Sequence, residues 1–130
     1  MDSIAFQLRQ PRDQAGTLAG TLRMEPDAVV VQWMRETQFF PREQKVEEVR
    51  LPFPHLASAE LRVPWFRRPR VVLQPRALDL AGRVPGLHEP GRIELWIARA
   101  DLDAARALVS MINLRASEAL LERATDPLGR

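Results

Sequence analysis

The densest run of chemically capable side chains in this sequence is Trp65-Phe66-Arg67-Arg68-Pro69-Arg70. Aromatic rings can stack on a ligand or insert at a lipid interface, while guanidinium groups grip phosphate oxygens through their forked donors. Trp65, Arg67, Arg68 and Arg70 are therefore candidate contacts for an anionic lipid or another phosphate-bearing ligand, with binding that salt weakens. The competing reading is a bend in which Trp65 or Phe66 plugs the core and the arginines stay solvated.

Catalytic chemistry finds little support. His55 and His88 are the only histidines, both flanked by loop residues, and there is no cysteine. A metal site needs three or four converging ligands, and no HExxH-like spacing supplies them. Ser58 and Ser110 lack a nucleophile-elbow context. Glu47 and Glu48 are neighbours on one strand, so they point to opposite faces and cannot act as a carboxylate pair. The Gly82, Gly86, Gly91 spacing is interrupted by prolines and leads into a strand, unlike a phosphate-cradling loop. No base, nucleophile and oxyanion donor assemble. The expectation is binding without catalysis, with no catalytic, cofactor or metal residue.

Composition narrows the class. A chain of 130 residues suits one domain (1–130) with one core. The absence of cysteine removes disulfides and thiolate sites and suits the cytoplasm, the expected location. The N-terminus lacks the pattern of a signal peptide, and no apolar stretch is long enough for a transmembrane segment. Net charge is only +2; the isoelectric point of about 10.3 reflects arginine, because Lys45 is the sole lysine. Nucleic acid is thus not the expected partner. The arginine- and alanine-rich, lysine-poor usage suggests a bacterial genome.

The elements that must position these residues are mostly strands, as eleven prolines and six glycines imply. Ile4, Phe6 and Leu8 alternate with polar or small residues in a first strand, and residues 10–16 read as a loop. Residues 17–38 read as a hairpin turning at Glu25-Pro26-Asp27, with Ala28–Met34 its clearest strand. Residues 41–45 are polar and proline-led. Val49, Leu51 and Phe53 share one face, and after Pro54-His55 a strand carrying Ala57, Ala59, Leu61 and Val63 inward completes a second predicted hairpin. Val71–Leu73 and Ala77–Leu80 read as one bent strand or two, broken at Pro75. Residues 81–91 form a Gly/Pro loop. Ile93, Leu95 and Ile97 point inward in the last strand, leaving Trp96 outward. With Asp101 as N-cap, a helix over about 102–124 carries Leu102, Ala105, Val109, Ile112, Ala116 and Ala119 on one stripe. Arg106, Ser110, Asn113 and Ser117 lie opposite, and 125–130 reads as a frayed tail.

About seven antiparallel strands over residues 4–98, followed by one amphipathic helix, define a mainly β fold: a small barrel or pair of orthogonal sheets capped by the helix. The order GTLRMEPDAVVVQW, then VEEVRLPFPHLASAELR, then GRIELWIARADLDAARALVSMI, resembles the bacterial pleckstrin-homology-like (PH-like) domains over about residues 16–113. That resemblance implies a binding or assembly module without catalytic machinery. In phosphoinositide-binding members, basic residues surround the loop joining the first two strands. Taken as that loop, Met24-Glu25-Pro26-Asp27 is acidic, with only Arg23 nearby, and opposes inositol-phosphate binding there.

A second surface signal lies in Trp96, Met111, Leu114 and Leu121, apolar positions left outside the core-facing sets and therefore candidates for a protein interface. The leading expectation is a PH-like interaction or assembly module that self-associates through exposed sheet and helix positions, a homo-oligomer. The alternative is a peripheral anionic-lipid or phosphate-ligand binding domain using the Trp65–Arg70 corner. Residues 1–9 have three open fates: completing the barrel, pairing with a neighbouring copy, or hanging free.

Overall fold

The computed structural model describes residues 3–9, 18–36, 44–86 and 88–124. The loop expected at 10–16, most of the 41–45 segment and the tail 125–130 lie outside the described residues. Seven strands follow in chain order: β1 (Ser3–Leu8), β2 (Leu18–Met24), β3 (Ala28–Glu36), β4 (Gln44–Pro52), β5 (Leu56–Arg62), β6 (Arg70–Pro75) and β7 (Ile93–Trp96). A short helix α1 (Leu78–Ala81) lies between β6 and β7, and α2 (Leu102–Ala124) closes the chain. All strands join one antiparallel sheet in the order β4-β3-β2-β1-β7-β6-β5. The fold is mainly β with one long C-terminal helix, as expected. The sheet is not a closed barrel, because no ladder joins β4 to β5 among the described residues.

The core follows strand parity. Ile4, Phe6 and Leu8, then Val29, Val31 and Trp33, then Val49 and Leu51, then Ile93 and Leu95 all turn to one side. The helix contributes Ala105, Val109 and Ile112 to the same cluster, so its apolar stripe does seal the sheet's interior. Leu108 joins them, broadening the stripe beyond the expected positions. Residues 3–8 complete the centre of the sheet, pairing along their whole length with β2 and touching β7 through Gln7 and Trp96.

Several local expectations are corrected. β4 and β5 are not a hairpin; they stand at opposite ends of the sheet. Pro52 precedes and Pro54 sits inside a single 3-10 turn, Phe53–His55, that carries the chain across. Its backbone ties to both ends, with the Phe53 N–H donating to Asp27 O at 3.2 Å and the Arg76 N–H donating to His55 O at 2.9 Å. In β5, the irregularity between Leu56 and Ser58 flips the parity, so Leu56 is buried and Ala57 exposed. Val63 also faces outward. Ala77–Leu80 is not strand: once Pro75 ends β6, the chain coils into α1. Asp101, the expected N-cap, closes a 3-10 turn, Arg99–Asp101, that feeds directly into α2.

Candidate functional site

The Trp65–Arg70 corner lies between β5 and β6. Trp65 is 89% exposed and Phe66 62%, so neither ring plugs the core; Pro69, which is buried, does the anchoring instead. The rings meet edge to face at 5.4 Å, and the Arg67 guanidinium lies 5.2 Å from the Phe66 centroid. The corner is held from beneath by the segment joining β7 to α2. Arg99 donates to the carbonyls of Pro64 (3.2 Å) and Arg67 (2.8 Å), and the Ile97 N–H donates to Pro69 O at 3.0 Å. Two large rings are therefore presented to solvent on a tethered backbone.

Beside the corner, where β1 meets β7, two adjoining shallow clefts of ≈ 290 and ≈ 270 Å³ share Arg9 and Trp96. Arg67 and Arg70 line the first and Arg68 the second. Trp96 does face away from the core, yet it is half covered: Arg70 lies 5.4 Å from its ring centroid, and its Nε1 is buried without a hydrogen-bond acceptor. The structure thus groups Trp96 with the basic corner. It does not group Trp96 with the helix positions, which project from α2 on the side away from the core. There Met111 is 43%, Leu114 52% and Leu121 63% exposed.

The arginines divide into two sets. Arg70 Nε approaches Glu94 Oε1 at 3.1 Å, an ion-pair contact whose angle falls short of a hydrogen bond. Glu89, on the far wall of the first cleft, is met by Arg92 at 2.8 Å and Arg62 at 3.6 Å. Those carboxylates are already compensated. No carboxylate pairs with Arg9, Arg67 or Arg68 among the described residues; Arg68 donates only to the neutral Gln7 Oε1 at 2.7 Å. Three guanidinium groups without a carboxylate partner among the described residues therefore line clefts floored by the Trp96 indole, a setting suited to an anionic oxygen cluster.

Arg9, Gln7 and Arg99 were not visible as site residues in the sequence, because each reaches the corner only through sheet pairing or the chain's return after β7. His88 sits in the cleft wall with a structural task. Its Nδ1 accepts the Glu94 N–H at 2.8 Å, so Nε2 carries the proton donated to Pro85 O at 2.8 Å. His55 is exposed on the 3-10 turn. Among the described residues no group of three or more His, Cys, Asp or Glu could hold a metal, and no helix is long and apolar enough to cross a membrane.

The acidic turn needs re-placing. Glu25-Pro26-Asp27 joins β2 to β3, whereas the first two strands are joined by residues 9–17, of which Arg9 is described. The acidity of Glu25 and Asp27 therefore says nothing about that first loop. At their own turn the charges are satisfied internally: Arg50 donates to Glu25 and Asp27, and Arg23 donates to Glu25 (3.2 Å) and Gln32 (2.6 Å). No protein-family profile, no curated protein and no solved structure matches this chain.

Proposed function

We propose that this chain is a non-catalytic, PH-like binding module that docks on an anionic lipid surface through the Trp65–Arg70 corner and the adjoining Arg9–Trp96 clefts, acting at the cytoplasmic face of a membrane. The PH-like reading is supported by the meandering strand order with β1 between β2 and β7, and by the single helix that closes the core. The ligand reading rests on one observation above the rest: Trp65 is 89% exposed on a tethered loop, and the arginines of the corner and its clefts, Arg9, Arg67 and Arg68, have no carboxylate partner among the described residues. A ring this exposed gains little from burial when the chain folds, so the free energy of covering it is left for a partner, and an interfacial bilayer accepts both the ring and the charges.

Co-sedimentation with phosphatidylcholine vesicles, with and without phosphatidylglycerol, tests this. Each basic residue near an anionic surface contributes about 1 kcal/mol, or roughly fivefold in affinity. Arg67→Ala with Arg68→Ala should therefore weaken binding by about 25-fold, and rising salt should do the same. Affinity unchanged in that double variant, or equal on uncharged vesicles, would remove the reading.

A second reading, self-association, is favoured by the apolar residues Met111, Leu114 and Leu121 on the outer side of α2.

A further inference from the structure

The two edges of the sheet are finished differently. At the β5 edge, α2 covers the strand, and Asn113 satisfies both backbone groups of Ala59. At the other edge, β4 pairs with β3 along all nine of its residues, from Ala28↔Pro52 to Glu36↔Gln44. No hydrogen bond reaches the outer side of β4 from any described residue. Alternate residues of an edge strand turn both their N–H and C=O groups outward, which makes a long, open edge a template for another strand.

We propose that β4 pairs antiparallel with β4 of a second copy of this chain, about a two-fold axis at Val49, so that two seven-stranded sheets join into one. The order of side chains selects this register. Centred on Glu47 or Glu48, antiparallel self-pairing places a carboxylate directly opposite its own copy, which is repulsive. Centred on Val49, it places Glu48 opposite Arg50 of the second copy and Arg50 opposite Glu48, so two complementary pairs form from one sequence. On the same face Val46, 57% exposed, meets Pro52 of the second copy. On the other face Val49 meets Val49, and Glu47 stands opposite Leu51 of the second copy, with no like charges facing each other. Charges on an edge strand ordinarily discourage pairing, but here they alternate in sign in an order that complements itself. Glu48 and Arg50 keep 52% and 45% of their side chains exposed, leaving room for the second set of contacts.

This surface lies three strands away from β1 and is independent of the lipid-docking corner, so either proposal can fail alone. Sedimentation velocity on the full chain tests it, with wild type expected at twice 14.8 kDa. Glu48→Arg turns two attractive pairs into two repulsive ones and should weaken association by about tenfold or more. Glu48→Gln, which removes the attraction without adding repulsion, should weaken it less than Glu48→Arg, while Leu114→Glu with Leu121→Glu should leave it intact. Amide exchange on the unmodified chain provides a check that needs no variant: β4 amides should become more protected as protein concentration rises. A monomer at every concentration, or association lost in the helix variant and kept in Glu48→Arg, would overturn the proposal.

Discussion

The carboxamide of Asn113 is matched to the backbone of Ala59: its Oδ1 accepts the Ala59 N–H at 2.9 Å and its Nδ2 donates to the Ala59 carbonyl at 2.8 Å. A side chain from the helix thus does what a neighbouring strand would do. Periodicity alone puts Asn113 among the polar residues opposite the core stripe. It instead lies at the border of that stripe, half buried against β5.

Replacing Asn113 with Ala removes both hydrogen bonds and leaves a partly buried backbone pair without partners. A loss of about 2–3 kcal/mol is expected, read by urea denaturation. Since the same change opens the β5 edge, the variant should also aggregate more readily than wild type. A stability within error of wild type would show that water replaces the carboxamide without cost.

Gly20 pairs with Phe6 on one side and Trp33 on the other. A Cβ there would lie 2.1 Å from the Gln32 carbonyl oxygen and 2.7 Å from Phe6 Cζ. The first contact is with backbone in the middle of the sheet, so it cannot be relieved by a rotamer change. Gly20→Ala should cost about 3 kcal/mol or more, and thermal melting would show it directly.

Arg70 separates from Arg67 and Arg68 in what its removal does. Arg70 and Glu94 are 15% and 12% exposed, so Arg70→Ala leaves a mostly buried carboxylate without its counter-charge, held only by the Glu89 N–H among the described residues, and should cost about 3 kcal/mol. Arg67→Ala and Arg68→Ala touch only solvent-facing groups and should each change stability by less than about 0.5 kcal/mol. Denaturation of the three single variants distinguishes them. This is also why vesicle binding is tested without altering Arg70.

Local pattern was legible where a residue's environment depends on its near neighbours. Ile4, Phe6 and Leu8, then Ile93, Leu95 and Ile97, take the faces their alternation assigns, and α2 begins and ends where the helical period does. Pairing across the chain was not legible. The run from Val49 through Pro54 to Ala59 has the same alternation whether its strands pair with each other or with distant partners. Only the 3-10 turn at Phe53–His55 decides, and prolines suit either outcome. The site fared likewise. Arg67 and Trp96 were each visible as unusual, but their proximity is created by the return of β7 alongside β6, which no spacing encodes.

Glu25 gives the chain a predictable response to acid. The hydrogen bond from Arg50 is the main cause holding its pKa below the ordinary 4.5; Arg23 assists, and partial desolvation opposes. A carboxyl that binds its proton more weakly when folded than when unfolded favours the folded state while ionised. That contribution is complete above 4.5, the ordinary value of the unfolded chain, and fades as pH falls through the lower folded value. Glu25→Gln should therefore be less stable than wild type at neutral pH, and the gap should narrow as acid protonates Glu25. Parallel denaturation of the two proteins across that range measures the gap. A difference that stays constant into acid would mean that the Arg50 contact works through packing and not through charge.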